Sequence, residues 1–196
     1  MSGRLTLATA DGETLEARWD PSDHPVGVVV FCHPHPQQGG SMMAPLMIAV
    51  TTRLMDRGYS VLRFNFRGVG ASSGTADEGE AENLDVSAAV AEARKADLGL
   101  HLSGWSFGAG VALRWLSEQS DSIPYSAVAP SAASLPDVLP SGPKRIVVGT
   151  RDQVIDLELL RVYAEEHQID LVLTSGDHFF HGRGKKIGDL VAQGFE

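Results

Sequence analysis

Apolar residues along this chain recur in short blocks of two different periods, and the two kinds of block alternate. Leu5-Thr-Leu-Ala-Thr9 and Thr14-Leu-Glu-Ala-Arg-Trp19 alternate apolar and polar side chains. Asp11-Gly12 lies between them, so the pair predicts an antiparallel hairpin. Val26-Gly-Val-Val-Val-Phe-Cys32 is apolar almost throughout, the pattern of a strand covered on both faces. A helix is predicted from about Ser41 to Arg57, a strand over Tyr59–Phe64, and a second helix over Ala81–Ala96 with Leu84, Ala88 and Ala91 on one face. Leu98–Ser103 reads as a strand, and Val111–Leu116 has helical spacing. Tyr125–Ala129, Lys144–Val148 and Ile169–Leu173 read as further strands, with an amphipathic helix over Val154–Tyr163 and a last helix from about Gly182 to Gln193. A hairpin followed by repeated strand–helix units predicts an α/β fold, a mostly parallel twisted sheet with helices on both faces.

One junction between blocks carries chemistry. Gly104-Trp105-Ser106-Phe107-Gly108 reads G-x-S-x-G between a strand and a helix, the context of a nucleophile elbow. In that turn the serine is strained and exposed at the carboxyl edge of the sheet, and the two glycines let strand and helix approach closely. A serine nucleophile needs a base and an acid that orients it, in the chain order Ser, acid, His. Asp152 falls in the loop after the Lys144–Val148 strand, and His178 in the loop after Ile169–Leu173. Asp156, inside the predicted helix and facing solvent, is the rival acid, and His181 the rival base; Asp152 could also cap that helix. Phe179 and Phe180 are expected to pack the His178 loop against the core. An oxyanion needs two N–H donors. Phe107, after the serine, supplies one. In the turn His33-Pro34-His35-Pro36 the prolines have no N–H, so the His35 backbone is assigned the other, with His33 as a buried brace. His33, His35, His178 and His181 do not have the spacing of a common zinc site, so neither metal nor cofactor is expected. Arg67-Gly-Val-Gly70 is a turn beside the site that lacks a phosphate loop's Gly-Lys-Ser/Thr ending.

Taken together, the His-Pro turn, Gly39-Gly-Ser-Met42, Asn65-Phe-Arg-Gly-Val-Gly70, the elbow, Asp152 and Gly176-Asp-His-Phe-Phe180 resemble a small cap-less α/β-hydrolase, and in particular the group related to dienelactone hydrolases. The resemblance spans Val26 to Gly182 and implies a Ser-His-Asp hydrolase. Dienelactone hydrolase proper has a cysteine nucleophile where Ser106 stands here. The expectation is one α/β-hydrolase domain over 1–196 that cleaves an ester or thioester of a small molecule through an acyl-enzyme. A serine peptidase, an acyltransferase and a non-catalytic ligand-binding member of the fold are the alternatives. Pro130–Pro143, where larger members insert a cap, has room for one short helical turn, so the site is expected to be shallow. Gln37, Met42, Met43, Leu135 and Val138 are its expected walls.

Charge and composition narrow the partners. Lys and Arg total 16 against 25 Asp and Glu, a net charge of −9 that disfavours nucleic acid and anionic membranes. Cys32 is the only cysteine and ends a buried strand, so it is expected in the core rather than in an intramolecular disulfide. The first residues have no apolar signal core and no stretch is long enough to span a membrane, which together predict a cytoplasmic protein.

Overall fold

Burial of the β3–β4 pair organises the molecule. The structure is a computed structural model that describes residues 3–77 and 81–196. Its sheet contains β1 (Gly3–Ala8), β2 (Thr14–Asp20), β3 (Gly27–Cys32), β4 (Tyr59–Phe64), β5 (Leu100–Gly104), β6 (Tyr125–Val128), β7 (Lys144–Gly149) and β8 (Asp170–Thr174), in the order β1-β2-β4-β3-β5-β6-β7-β8. β1 and β2 form the expected antiparallel hairpin, and β2 joins β4 antiparallel; every other pairing is parallel. β3 and β4 are buried at every position; the sequence of β3 is apolar throughout, while β4 carries Ser60 and Arg63 among its apolar residues. This is an α/β-hydrolase fold without a cap: the segment 130–143 holds only the 3-10 turn Ala132–Ser134.

The helices are α1 (Pro45–Asp56), α2 (Ala81–Ala93), α3 (Phe107–Ser117), α4 (Leu157–Glu166) and α5 (Gly184–Gln193). From β3 the chain crosses by α1 to β4 on one side, then returns by α2 to β5 on the other side of β3. Right-handed crossovers in opposite directions put α1 and α2 on opposite faces. α5 packs on α1, and α3 on α2. The loops after β3 and β5 therefore diverge from neighbouring strand ends, which opens a crevice there. None of the helices among the described residues is long and apolar enough to cross a membrane.

Three helices start later than the pattern predicts, each for a local reason. Residues 41–44 are irregular because Met42 is bonded sideways: its N–H donates to Asn65 Oδ1 (2.8 Å) and its carbonyl accepts from Arg63 Nη1 (2.7 Å). α1 then begins at Pro45, whose fixed φ suits a first turn. α4 begins at Leu157, with Asp156 as its N-cap accepting from the Leu159 N–H at 3.0 Å; Asp156 is thus not the interior helical residue expected. α5 begins at Gly184 after a turn through 180–183.

Arg63 and His101 are among the ionisable side chains set on the strands of this frame. Arg63, next to the last residue of β4, pairs with Asp20 of β2 (Nη2 to Oδ2 2.6 Å, Nε to Oδ2 3.0 Å), which compensates a buried charge and leaves Nη1 for Met42. His101 of β5 lies between Phe195, on which it stacks, and the edge of Tyr59, and neither buried ring nitrogen has a hydrogen-bond partner among the described residues. Burial lowers its pKa from 6.5 to about 4. The unfolded chain takes up a proton near pH 6.5 and the folded protein only near 4, so His101 erodes stability as pH falls through that window. Replacing His101 with Phe keeps the stack and removes the titration. The variant is expected to match or exceed wild-type stability at pH 8, with its advantage growing toward about 3 kcal/mol at pH 4, read from urea unfolding across pH.

Candidate active site

The G-x-S-x-G turn is the tightest junction in the fold. Ser106 has φ 54° and ψ −117°, a conformation that non-glycine residues avoid, and sits immediately before α3. Neighbouring backbone holds it there. Its N–H donates to the Val128 carbonyl (2.8 Å), and the Trp105 N–H to the Cys32 carbonyl (3.0 Å). A Cβ on Gly104 would lie 2.5 Å from the Ala109 nitrogen, and one on Gly108 would lie 2.3 Å from the His33 carbonyl oxygen. Both glycines are therefore required by the approach of α3 to the ends of β5 and β3. Phe107 is the first residue of α3, so its N–H has no acceptor within the helix.

The loop after β3 lies next to this turn, because Cys32 pairs with Gly104 across the sheet. His33 is fully buried. Its Nδ1–H donates to the Pro34 carbonyl (2.6 Å), and its Nε2 accepts from the Phe66 N–H (3.0 Å). It is the expected brace, and burial lowers its pKa to about 4, which keeps it neutral and able to accept. The His35 carbonyl accepts from the N–H groups of Gln38 (3.1 Å) and Gly40 (3.0 Å), curling residues 35–40 into a tight turn. The His35 ring lies 5.0 Å from that of Phe107.

Asp152 and His178 come from the loops after β7 and β8. A Cβ on Gly149 would sit 2.5 Å from the Gly176 carbonyl oxygen, so glycine lets these loops touch. They are then laced by Thr150 N–H to the Thr174 carbonyl (2.8 Å) and Arg151 N–H to the Gly176 carbonyl (3.0 Å). The His178 Nδ1–H donates to Asp152 Oδ2 at 2.8 Å, with the carboxylate side chain fully buried. Asp152 Oδ1 accepts from the N–H groups of Val154 (2.9 Å) and Ile155 (3.1 Å). With Nδ1 so occupied, the lone pair is left on Nε2. His178 is held from behind by Trp105, whose indole N–H donates to its carbonyl at 3.2 Å.

Ser106 and His178 face one cavity of about 240 Å³, walled by His35, Pro45, Trp105, Val154 and Phe179 among others. None of Gln37, Met42, Met43, Leu135 and Val138 lines it. Met42 is 3% exposed because Asn65 and Arg63 bind both its backbone polar groups, Leu135 is buried in the core, and Val138 stands in solvent. Phe180 is buried as expected, but Phe179 is 52% exposed and forms part of the cavity wall instead. The groups that sequence reasoning missed are Trp105, Val154, and the Asn65 and Arg63 struts. A cation in the apolar run of β4 was the available signal for Arg63. Among the described residues, no three His, Cys, Asp or Glu side chains converge as a metal site requires.

Comparison with known proteins gives consistent results. A family model described as serine aminopeptidase, S33 matches residues 23–166. XC6422 from Xanthomonas campestris, an α/β serine hydrolase without a lid, is 30% identical with a TM-score of 0.84, covering 98% of this chain and 93% of that one. An α/β serine hydrolase homologue from Coxiella burnetii is 28% identical, covering 99% and 97%, with a TM-score of 0.88. The uncharacterized protein RP471 of Rickettsia prowazekii is 29% identical over 90% of this chain and 82% of its own length.

The glycine geometry makes a discriminating prediction. Gly108→Ala forces a Cβ into backbone and is expected to cost about 1–3 kcal/mol. Gly110→Ala, two residues on, meets only the movable Ser134 Oγ at 2.8 Å and should cost much less. Urea midpoints of the two variants test the difference.

Proposed function

Because the chain belongs to the serine aminopeptidase, S33 family, as an α/β serine hydrolase without a lid, we propose that it cleaves a carboxylic ester or thioester of a small substrate through Ser106, His178 and Asp152. The observation that carries this reading is the 2.8 Å bond from His178 to the buried Asp152, with His178 and Ser106 on one cavity. Ser106 Oγ attacks the carbonyl carbon while His178 Nε2 takes its proton. Asp152 holds the imidazole in the required tautomer and stabilises the imidazolium. The Phe107 and His35 amides receive the oxyanion, aided by the positive end of α3. Collapse of the tetrahedral adduct expels the alcohol or thiol, which takes the proton from His178. Water, deprotonated by His178, then releases the acid and regenerates Ser106.

The cavity favours ester or thioester cleavage over removal of an N-terminal amino acid. An aminopeptidase must hold a substrate ammonium, and no carboxylate lines the cavity at Ser106 among the described residues. Its volume, about 240 Å³, accommodates a short acyl group.

A fluorophosphonate probe with intact-mass detection tests the machinery without a known substrate. One adduct is expected on the wild type and none on Ser106→Ala. Asp152→Asn should stay folded and lose roughly 10⁴-fold in kcat on p-nitrophenyl acetate. An unlabelled, well-folded wild type, or full activity in either variant, overturns the assignment.

A further inference from the structure

The space around Ser106 does not end at Phe179. The ring of Phe179 stands edge-on to Trp105 (centroids 6.2 Å apart, 86°) and to His178 (5.6 Å, 90°). Beyond it lies a second cavity of about 380 Å³ that shares Phe179 and Pro45 with the first. Leu46, Ala49 and Phe180 give this second cavity an apolar lining, and the exposed side chains of His181 and Lys185 stand at its rim. The acid of the same helix, Asp189, is committed to Arg53 (2.7 Å) and Arg57 (3.9 Å), so it does not neutralise Lys185. Residues 183–186 hold three cations in a chain whose net charge is −9, which makes this rim a local exception to the protein's field.

We infer that the second cavity receives the leaving group of the ester or thioester, and that this group is an apolar arm ending in an anion held by Lys185. The inference rests on the hydrolase reading above and adds the substrate class. The direction follows from the proton. The departing oxygen or sulfur must meet His178 Nε2 to be protonated, and the second cavity shares with the first the Phe179 ring that stands edge-on to His178. Phe179 and Pro45 form the shared wall over which the arm passes. Hydrolysis adds water across the acyl bond and releases a short acid together with an alcohol or thiol that carries the anion.

The test compares two acetyl thioesters of equal reach, those of 6-mercaptohexanoate and of neutral 6-mercaptohexanol, by thiol release. The wild type is expected to favour the anionic thioester about fivefold in kcat/KM, the modest size of a solvent-exposed ion pair. Lys185→Glu should bring that ratio below one, and Lys185→Arg should retain it. A wild-type ratio near one, or a ratio unmoved in Lys185→Glu, overturns the inference. So does turnover of p-nitrophenyl acetate with neither thioester cleaved, an outcome that leaves the hydrolase assignment standing. Loss of both p-nitrophenyl acetate turnover and fluorophosphonate labelling sinks the hydrolase assignment itself.

Discussion

The contact between the start of α3 and the ends of β3 and β5 is the constraint on which the rest of the site depends. Gly108 lies against the His33 carbonyl, and Gly104 against the backbone of Ala109, at distances that leave no room for a Cβ. That closeness is what drives Ser106 to φ 54° and presents its side chain to the cavity rather than to the core. It also brings the positive end of α3 and the Phe107 N–H alongside the loop after β3. A strained residue persists only where surrounding structure over-determines it, and here bonds from Trp105 to Cys32 and from Ser106 to Val128 supply that determination.

Polar struts then fix the loops on either side. On the β3 side, Met42 is gripped by Asn65 and Arg63, Arg63 is compensated by Asp20, and His33 braces Pro34 against Phe66. On the opposite side the β7 and β8 loops meet through Gly149 and Gly176, and Asp152 spends one carboxylate oxygen on the turn before α4 and the other on His178. The loops are thus held by hydrogen bonds within the protein itself, from side chains on one side and largely from backbone on the other. Such preorganisation is what electrostatic stabilisation of an oxyanion demands. With only a 3-10 turn where a cap would stand, these loops, the elbow and the start of α1 wall the site, and Phe179 becomes the feature that divides its space.

The strands, their alternation with helices and the place of Ser106, Asp152 and His178 each just past a strand were legible in the sequence, because period and position within a strand–loop–helix unit are local properties. The apolar run of β3 read as a strand covered on both faces, and Asp11-Gly12 as the turn of a hairpin, and both are found. Legible too was the buried brace at His33, between a hydrophobic strand and a proline. What failed were readings that depended on where a loop side chain goes. Met42 and Leu135 read as wall residues and are buried, Asp156 read as a helix interior and caps one, and Phe179 read as core and faces the cavity.

The division has a physical reason. Sequence determines what each segment buries and which residues bear chemistry, because hydrophobic period, proline and glycine act within a few bonds of themselves. Tertiary structure alone decided other meetings: Arg63 reaching Asp20 from 43 residues away, and Met42 tied to Asn65 across 23. Those partners are selected by the strand order, which places distant residues on one sheet edge, and no local pattern encodes that choice.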